Sequence, residues 1–372
     1  MTQLNNFLSS ITSEMHAQSE FRQSNTQYPP SSFMTDMTYD GASHAESLLS
    51  HLLGLGRSSV SGSGGLSPSD EVAAYKLAIS AWSHTYHPQS GDKSEIILES
   101  YGQKYGGDMN YMPNMECCKT VLMAHLKSCS SFFGRRQQQQ HATNNNGDND
   151  NDNTIHLMDK ESPGEKSLGI LKLLTSVYTA GDIFLKPDIE LYSYTISVVR
   201  NTLLDWRNRR RYQSESNDSR VLESNMARGA LDALEQMENT FHALIMNDSE
   251  KDTGKNMSLH EWHCMIRAYA DALAIAGKIP IDNAHSITGT ILTKLESFIV
   301  ANSTKIVQSV NEIKDNVVKG DDDTQLLLES MQKHVEDSYT SALNSGLKNG
   351  SFPDFHSALN NAMLAEEIFL SM

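Results

Sequence analysis

Residues 192–199, Tyr192-Ser193-Tyr194-Thr195-Ile196-Ser197-Val198-Val199, decide the fold, because their pattern is written three more times in the chain. Tyr192, Ile196, Val198 and Val199 stand at offsets 0, +4, +6 and +7. Tyr75, Ile79, Ala81 and Trp82 repeat those offsets, as do Cys118, Leu122, Ala124 and His125, and again Trp262, Ile266, Ala268 and Tyr269. Offsets 0, +4 and +7 fall on one face of a helix. Helices of this length cannot bury such a face alone, so a series of them folds by stacking on its neighbours.

The flanks extend each copy into a pair of helices. The spacing predicts first helices over 71–84, 115–130, 189–206 and 259–276. Amphipathic partners are expected over 92–105, closed by Gly106-Gly107, then over 164–179 and 224–244. A fourth partner follows Ile281-Asp282 and carries Ile287, Ile291, Leu292, Leu295 and Phe298. Polar tracts at about 137–153, 207–218 and 247–257 hold few apolar residues and read as disordered insertions. Residues 23–44 and 56–69 read as loop and connector, with a short helix over 45–55 between them. Helical stretches at 301–318, 324–347 and 353–372 continue or cap the stack, with Asp321–Asp323 as a break and cap. The expected organisation is a poorly ordered segment over 1–44, a repeat array over 45–300 and C-terminal helices over 301–372. The fold class is all-α, an α-α superhelix (solenoid) of stacked helical hairpins.

Composition narrows the function. The 372 residues carry a formal charge of −16, which disfavours non-specific attraction to nucleic acid or an anionic membrane as the main driving force. The four cysteines, Cys117, Cys118, Cys129 and Cys264, form no paired framework and suggest a reducing compartment. No apolar run approaches the length of a membrane span. Leu4, Phe7, Leu8 and Ile11 outline one amphipathic helix, with Glu14 and Glu20 following, a poor match to a transit peptide or secretory signal.

With the repeats laid out, the chain resembles the pentatricopeptide repeat (PPR) family. The stretch Pro187-Asp188-Ile189-Glu190-Leu191-Tyr192-Ser193-Tyr194-Thr195-Ile196 carries the resemblance best. Pro113-Asn114 before Cys118, the stretch from Glu71 to Trp82, and Leu259 to Tyr269 carry it further. Ala227 to Met237 is similar to the family's second helix, and Ala45 to Leu49 to the second helix of a preceding, incomplete unit. The resemblance covers roughly 45–300. It implies a right-handed solenoid whose first helices line a concave face, each repeat reading about one base of single-stranded RNA through two or three side chains. The implied reading positions are Lys76, Lys119, Ser193 and His263, directly after each anchor. Their implied partners, at the ends of the first and second repeats, are Asn114 and Asp188. Asn114, Asp188 and Ser193 fit the family's preferences at these places, whereas Lys76, Lys119 and His263 depart from them. A mitochondrial or plastid location is implied by the same resemblance.

Other motifs carry weaker signals. Arg207, Arg209, Arg210 and Arg211 form the one dense basic cluster, at the end of a helix where the dipole favours cations. Asp148, Asp150, Asp152, Thr154, His156 and Asp159 follow the rhythm of a calcium loop, but Asn153 holds the turn position where glycine is needed. His260-Glu261-Trp262-His263 places its histidines three apart, not the four of a metalloprotease helix. Cys117-Cys118 has no spaced partner pair for zinc, and Gly54-Leu55-Gly56 lacks the lysine of a phosphate loop. No catalytic arrangement, cofactor or metal is expected. The expected activity is binding alone, of single-stranded RNA, by a monomer with no membrane association. The alternative is a helical-repeat scaffold with a protein partner on the concave face.

Overall fold

The computed structural model describes residues 32–58, 67–108, 110–142, 161–181, 185–210, 217–251, 257–278, 284–316 and 326–338. The expected helix around 4–11, the calcium-like pattern of 148–159, the acidic break at 321–323 and the helix over 353–372 lie outside the described residues.

Every described element is a helix apart from turns, which makes the chain all-α. In chain order the helices are α1 (Ser32–Ser58), α2 (Pro68–Ser83), α3 (Ser90–Tyr105), α4 (Met115–Ala142) and α5 (Pro163–Thr179). They continue as α6 (Ile189–Arg210), α7 (Asn217–Lys251), α8 (Leu259–Lys278), α9 (Ala284–Asn316) and a helix over 326–338, here α10. The four repeated patterns form α2, α4, α6 and α8, and these first helices pack side by side in that order. The second helices lie along them: α1 on α2, α3 against both α2 and α4, α5 against α4 and α6, α7 against α6 and α8, and α9 on α8. This is a helical-repeat arrangement of packed pairs, each pair touching its neighbours.

All sixteen residues of the fourfold pattern are buried, from Tyr75 at one end to Tyr269 at the other. The pattern is a core pattern, and the core it builds has two parts. Tyr75, Ile79, Trp82, Ile97, Tyr101, Cys117 and Val121 form an N-terminal cluster with Ala42 and Leu49 of α1. Cys118 and Leu122, one residue further round α4, belong to a second cluster that runs through α5–α9 to Met331 and Val335 of α10. Helix α4 therefore divides its two flanks between the two clusters.

The starts of the helices follow from local chemistry. Ser67 precedes Pro68, and its hydroxyl accepts from the Asp70 amide. Asn114 Oδ1 accepts from the Cys117 amide at 3.2 Å, and Asp188 Oδ1 from the Leu191 amide at 2.9 Å. Ser162 with Glu165, and Ser258 with Glu261, form reciprocal capping boxes that satisfy two backbone donors at once. Three caps, Asn114, Asp188 and Ser258, stand the same distance ahead of their anchors Cys118, Tyr192 and Trp262.

Some boundaries differ from the sequence reading. Helix α1 begins at Ser32, inside the stretch expected to be loop. Its Tyr39 ring packs edge-on against Trp82, 5.5 Å away, so tertiary contact accompanies helix where composition suggested none. Helix α4 continues to Ala142, into the glutamine-rich tract, because glutamine is a good helix former. Helix α6 ends at Arg210, so the basic cluster begins within its last turn. Helix α7 spans Asn217–Lys251, and α9 runs unbroken through Asn316, across the boundary at 300 expected between the repeat array and the C-terminal helices. Among the described residues, no helix is long and apolar enough to cross a membrane.

Candidate functional site

The residues directly after the four anchors point to one face of the first-helix row, and the structure treats them unequally. Lys76 is exposed, whereas Lys119, Ser193 and His263 are buried. Asn114 is exposed and Asp188 half-buried, and both side chains are engaged as helix caps.

Lys119 meets the partner that the resemblance assigns to it. Its ammonium lies 3.1 Å from Asp188 Oδ2, 2.6 Å from Glu190 Oε2 and 2.6 Å from Glu116 Oε1. Burial acts to depress the lysine pKa, and the carboxylates of Glu116, Glu190 and Asp188 overcome it, holding the group above the usual lysine range. A cation surrounded by three carboxylates presents little positive potential to a phosphate.

From Lys119 the polar contacts run on to α8. Glu190 Oε1 accepts from the Tyr194 hydroxyl at 2.8 Å and lies 3.1 Å from His260 Nε2. His260 Nε2 in turn stands 3.6 Å from Cys264 Sγ. The hydrogen bond from His260 lowers the Glu190 carboxyl against the opposing effect of burial, with Lys119 and Tyr194 adding to it, to about 2. The same contacts, with Cys264 first and Glu190 second, raise His260 to about 10.

His263 is buried under α10. Its Nε2 lies 3.0 Å from Ser330 Oγ, and its ring is 5.4 Å from the ring of His334. Burial, and then repulsion from His334, Arg267 and His260, pushes its pKa down to about 3, so it is a neutral imidazole at physiological pH. Further along α8, the Arg267 guanidinium sits 5.7 Å over the Tyr194 ring. Asp271 accepts from the Ser197 hydroxyl and pairs with Arg200 at 3.3 Å and Arg267 at 3.8 Å. Ser193 Oγ has no hydrogen-bond partner among the described residues.

Sequence reasoning singled out Lys76, Asn114, Lys119, Asp188, Ser193 and His263, gave His260 and Cys264 no role, and missed Glu190, Tyr194, Arg267 and Asp271. One signal was available. Residues at +1, +5 and +8 or +9 from the anchor, such as Ser193, Ser197 and Arg200, or His263, Arg267 and Asp271, continue a polar stripe down the same helix face.

Compared with known protein families, curated proteins and solved structures, the chain matches none of them.

Proposed function

We propose that this chain is a non-catalytic, PPR-like helical-repeat scaffold whose first-helix face receives a helical segment of a protein partner. The observation that carries this reading is α10. Leu327, Leu328, Met331 and Val335 pack into the second core cluster, and Ser330 and His334 of the same short helix sit on His263. A helix of the chain itself thus lies on the face at α8, in the manner by which amphipathic helices fill grooves. The neutralised Lys119 and the formal charge of −16 point the same way. Repeat architecture alone serves either ligand, so the chemistry of the face and not the fold separates the two.

A second reading, binding of single-stranded RNA in transcript processing or stability, is favoured by two observations at the N-terminal end. Lys76 and Asn114 are exposed there, and Lys119 with Asp188 reproduces the pairing of positions that the family resemblance implies. A lysine of this kind contributes through backbone contacts that weaken with salt.

Two titrations on the full chain separate the readings. Anisotropy with a pool of random single-stranded RNA should show no binding at low salt. Salt-sensitive binding that is lost in Lys76→Glu, at an exposed position where the variant keeps the wild-type circular dichroism, would replace the scaffold reading by the RNA one. In the second titration, Met331→Asp with Val335→Asp frees the chain's own α10. A labelled peptide of residues 326–338 should then bind in trans, and failure to bind would count against a helix-accepting face.

A further inference from the structure

His260, His263 and Cys264 are spaced i, i+3 and i+4 on α8, which places them on one side of the helix. One donor atom from each lies within 4.8 Å of the other two. We propose that these three side chains, with Glu190 of α6, form a binding site for a borderline-soft divalent metal ion of the zinc class, joining two successive first helices.

The spacing of the donors carries the proposal. A tetrahedral ion bound at about 2.0–2.1 Å to nitrogen and about 2.3 Å to sulfur holds its ligands roughly 3.5 Å apart. His260 Nε2 and Cys264 Sγ are 3.6 Å apart before any ion is placed. Glu190 Oε1 is 3.1 Å from the same Nε2, which makes it the candidate for the fourth ligand beside the three clustered donors. A ring nitrogen of His263 needs to close by only about an ångström to complete the set, a shift within the range of a side-chain rotation.

Burial and accessibility are divided as a binding site requires. Cys264 and His263 are buried, and His263 Nδ1 has no hydrogen-bond partner among the described residues. The His260 side chain is 48% exposed, so an ion has a route in from solvent. Groups that orient the ligands are also in place. Lys119 donates to Glu190 Oε2 at 2.6 Å, the Tyr194 hydroxyl donates to Oε1 at 2.8 Å, and Ser330 Oγ lies 3.0 Å from His263 Nε2. Such outer contacts fix carboxylate and imidazole orientation in metal sites.

The donor set selects the ion. Thiolate and imidazole suit zinc and its neighbours, whereas calcium and magnesium need oxygen ligands in greater number. On binding, the Cys264 thiol and the protonated His260 imidazole each release a proton to solvent, so that the sulfur binds as thiolate and His260 Nε2 as a neutral donor. The inference stands apart from the choice between protein and RNA partners, because the ion would brace α6 against α8 in either case.

The test uses the full chain after dialysis against a chelator. Calorimetric titration with zinc should give one ion per chain. Titration with cobalt should give the visible bands of a tetrahedral ion and the near-ultraviolet charge-transfer band of a thiolate ligand. Cys264→Ser should abolish that band, and His260→Ala should weaken zinc binding at least about tenfold. His260 is on the rim, so its variant keeps the wild-type circular dichroism, and Cys129→Ser serves as a cysteine control that retains binding. No zinc binding by the wild type, unchanged affinity in His260→Ala, or a cobalt spectrum without the thiolate band would overturn the proposal.

Discussion

Lys119 and Asp188 are 3.1 Å apart, and this contact ties the residue after the α4 anchor to the cap of the next first helix. Asp188 therefore has two duties. One oxygen accepts from the Leu191 amide at the start of α6, and the other faces the Lys119 ammonium from α4. Glu190 supplies a second carboxylate from the same turn of α6. Lys119→Met removes the cation and leaves Glu190 facing Asp188 with less compensation. The expected loss of stability is about 1–3 kcal/mol, the range for a partly buried charged hydrogen bond left unmade. Asp188→Asn keeps the cap acceptor and should lose less. Chemical denaturation of the two variants checks the order. Equal losses would mean that the Lys119–Asp188 pair alone carries the contribution, with Glu116 and Glu190 adding nothing, because the cap is intact in both variants.

The close approach of α3 to α4 makes a second prediction. A Cβ built on Gly91 would stand 2.2 Å from His125 Nδ1 and 2.7 Å from its Cγ, deep in a packed interface. His125 is itself buried, and Glu95 lies 3.7 Å from its Nε2, so the ring has little room to turn. Gly91→Ala should cost about 1–3 kcal/mol through overpacking, despite alanine's better helix propensity. Gly169→Ala, with open space around its site, should be neutral or slightly stabilising. Melting temperatures of the pair test the packing argument directly, since propensity acts alike on both.

How much of this was legible beforehand follows from what each residue contacts. The fourfold pattern was readable because its residues are core, and core residues announce themselves by helical period. Cap residues such as Asn114 and Asp188 were visible as helix starts, and the pairing of Lys119 with Asp188 was implied by the family resemblance. The tie of Lys119 to Glu190 was not, because 71 residues separate them and only the stacking of α4 on α6 brings them together. Cys264 read as an ordinary buried thiol although His260, its contact, stands four residues earlier on α8; hidden was Glu190, on another helix, against His260. The helix at Ser32 was missed because Ser, Thr, Pro and Met are frequent over 23–44, and propensity cannot register Tyr39 against Trp82. Burial of Ser193 and His263 was hidden too, since the cover on His263 comes from α10, far away in sequence.

A third prediction concerns pH. Burial acts to raise the Glu95 carboxyl, but His125 at 3.7 Å and the Lys166 ammonium at 2.7 Å outweigh it and hold the group below the usual carboxylate range. A carboxylate with a depressed folded-state pKa stabilises the fold above its unfolded value, near 4.5, and loses that contribution as pH falls through the folded value. The chain should therefore lose stability as pH drops below about 4.5. Glu95→Gln should flatten part of that decline, measured as denaturation midpoint against pH. An unchanged slope in Glu95→Gln would show that other carboxylates carry the acid response.

The division of the core at α4 gives the last prediction. Tyr75 and Trp82 belong to the N-terminal cluster, stacked with Tyr101 at 5.1 Å from Tyr75, while Trp262 packs with Phe241 and Phe298 in the other cluster. Repeat proteins transmit stability between neighbours and not evenly through the whole chain. Trp262→Ala should cost about 3–5 kcal/mol, the range for an aromatic side chain removed from a packed core. Tyr75→Ala should cost less, because its hydroxyl end is polar and fewer core atoms are lost. The distribution of the loss is the sharper readout. Hydrogen exchange should quicken over α6–α9 in Trp262→Ala while α2 and α3 keep their protection, and the reverse should hold in Tyr75→Ala. Uniform loss of protection in either variant would mean that the two clusters unfold as one cooperative unit, with α4 coupling them rigidly despite their separate contacts.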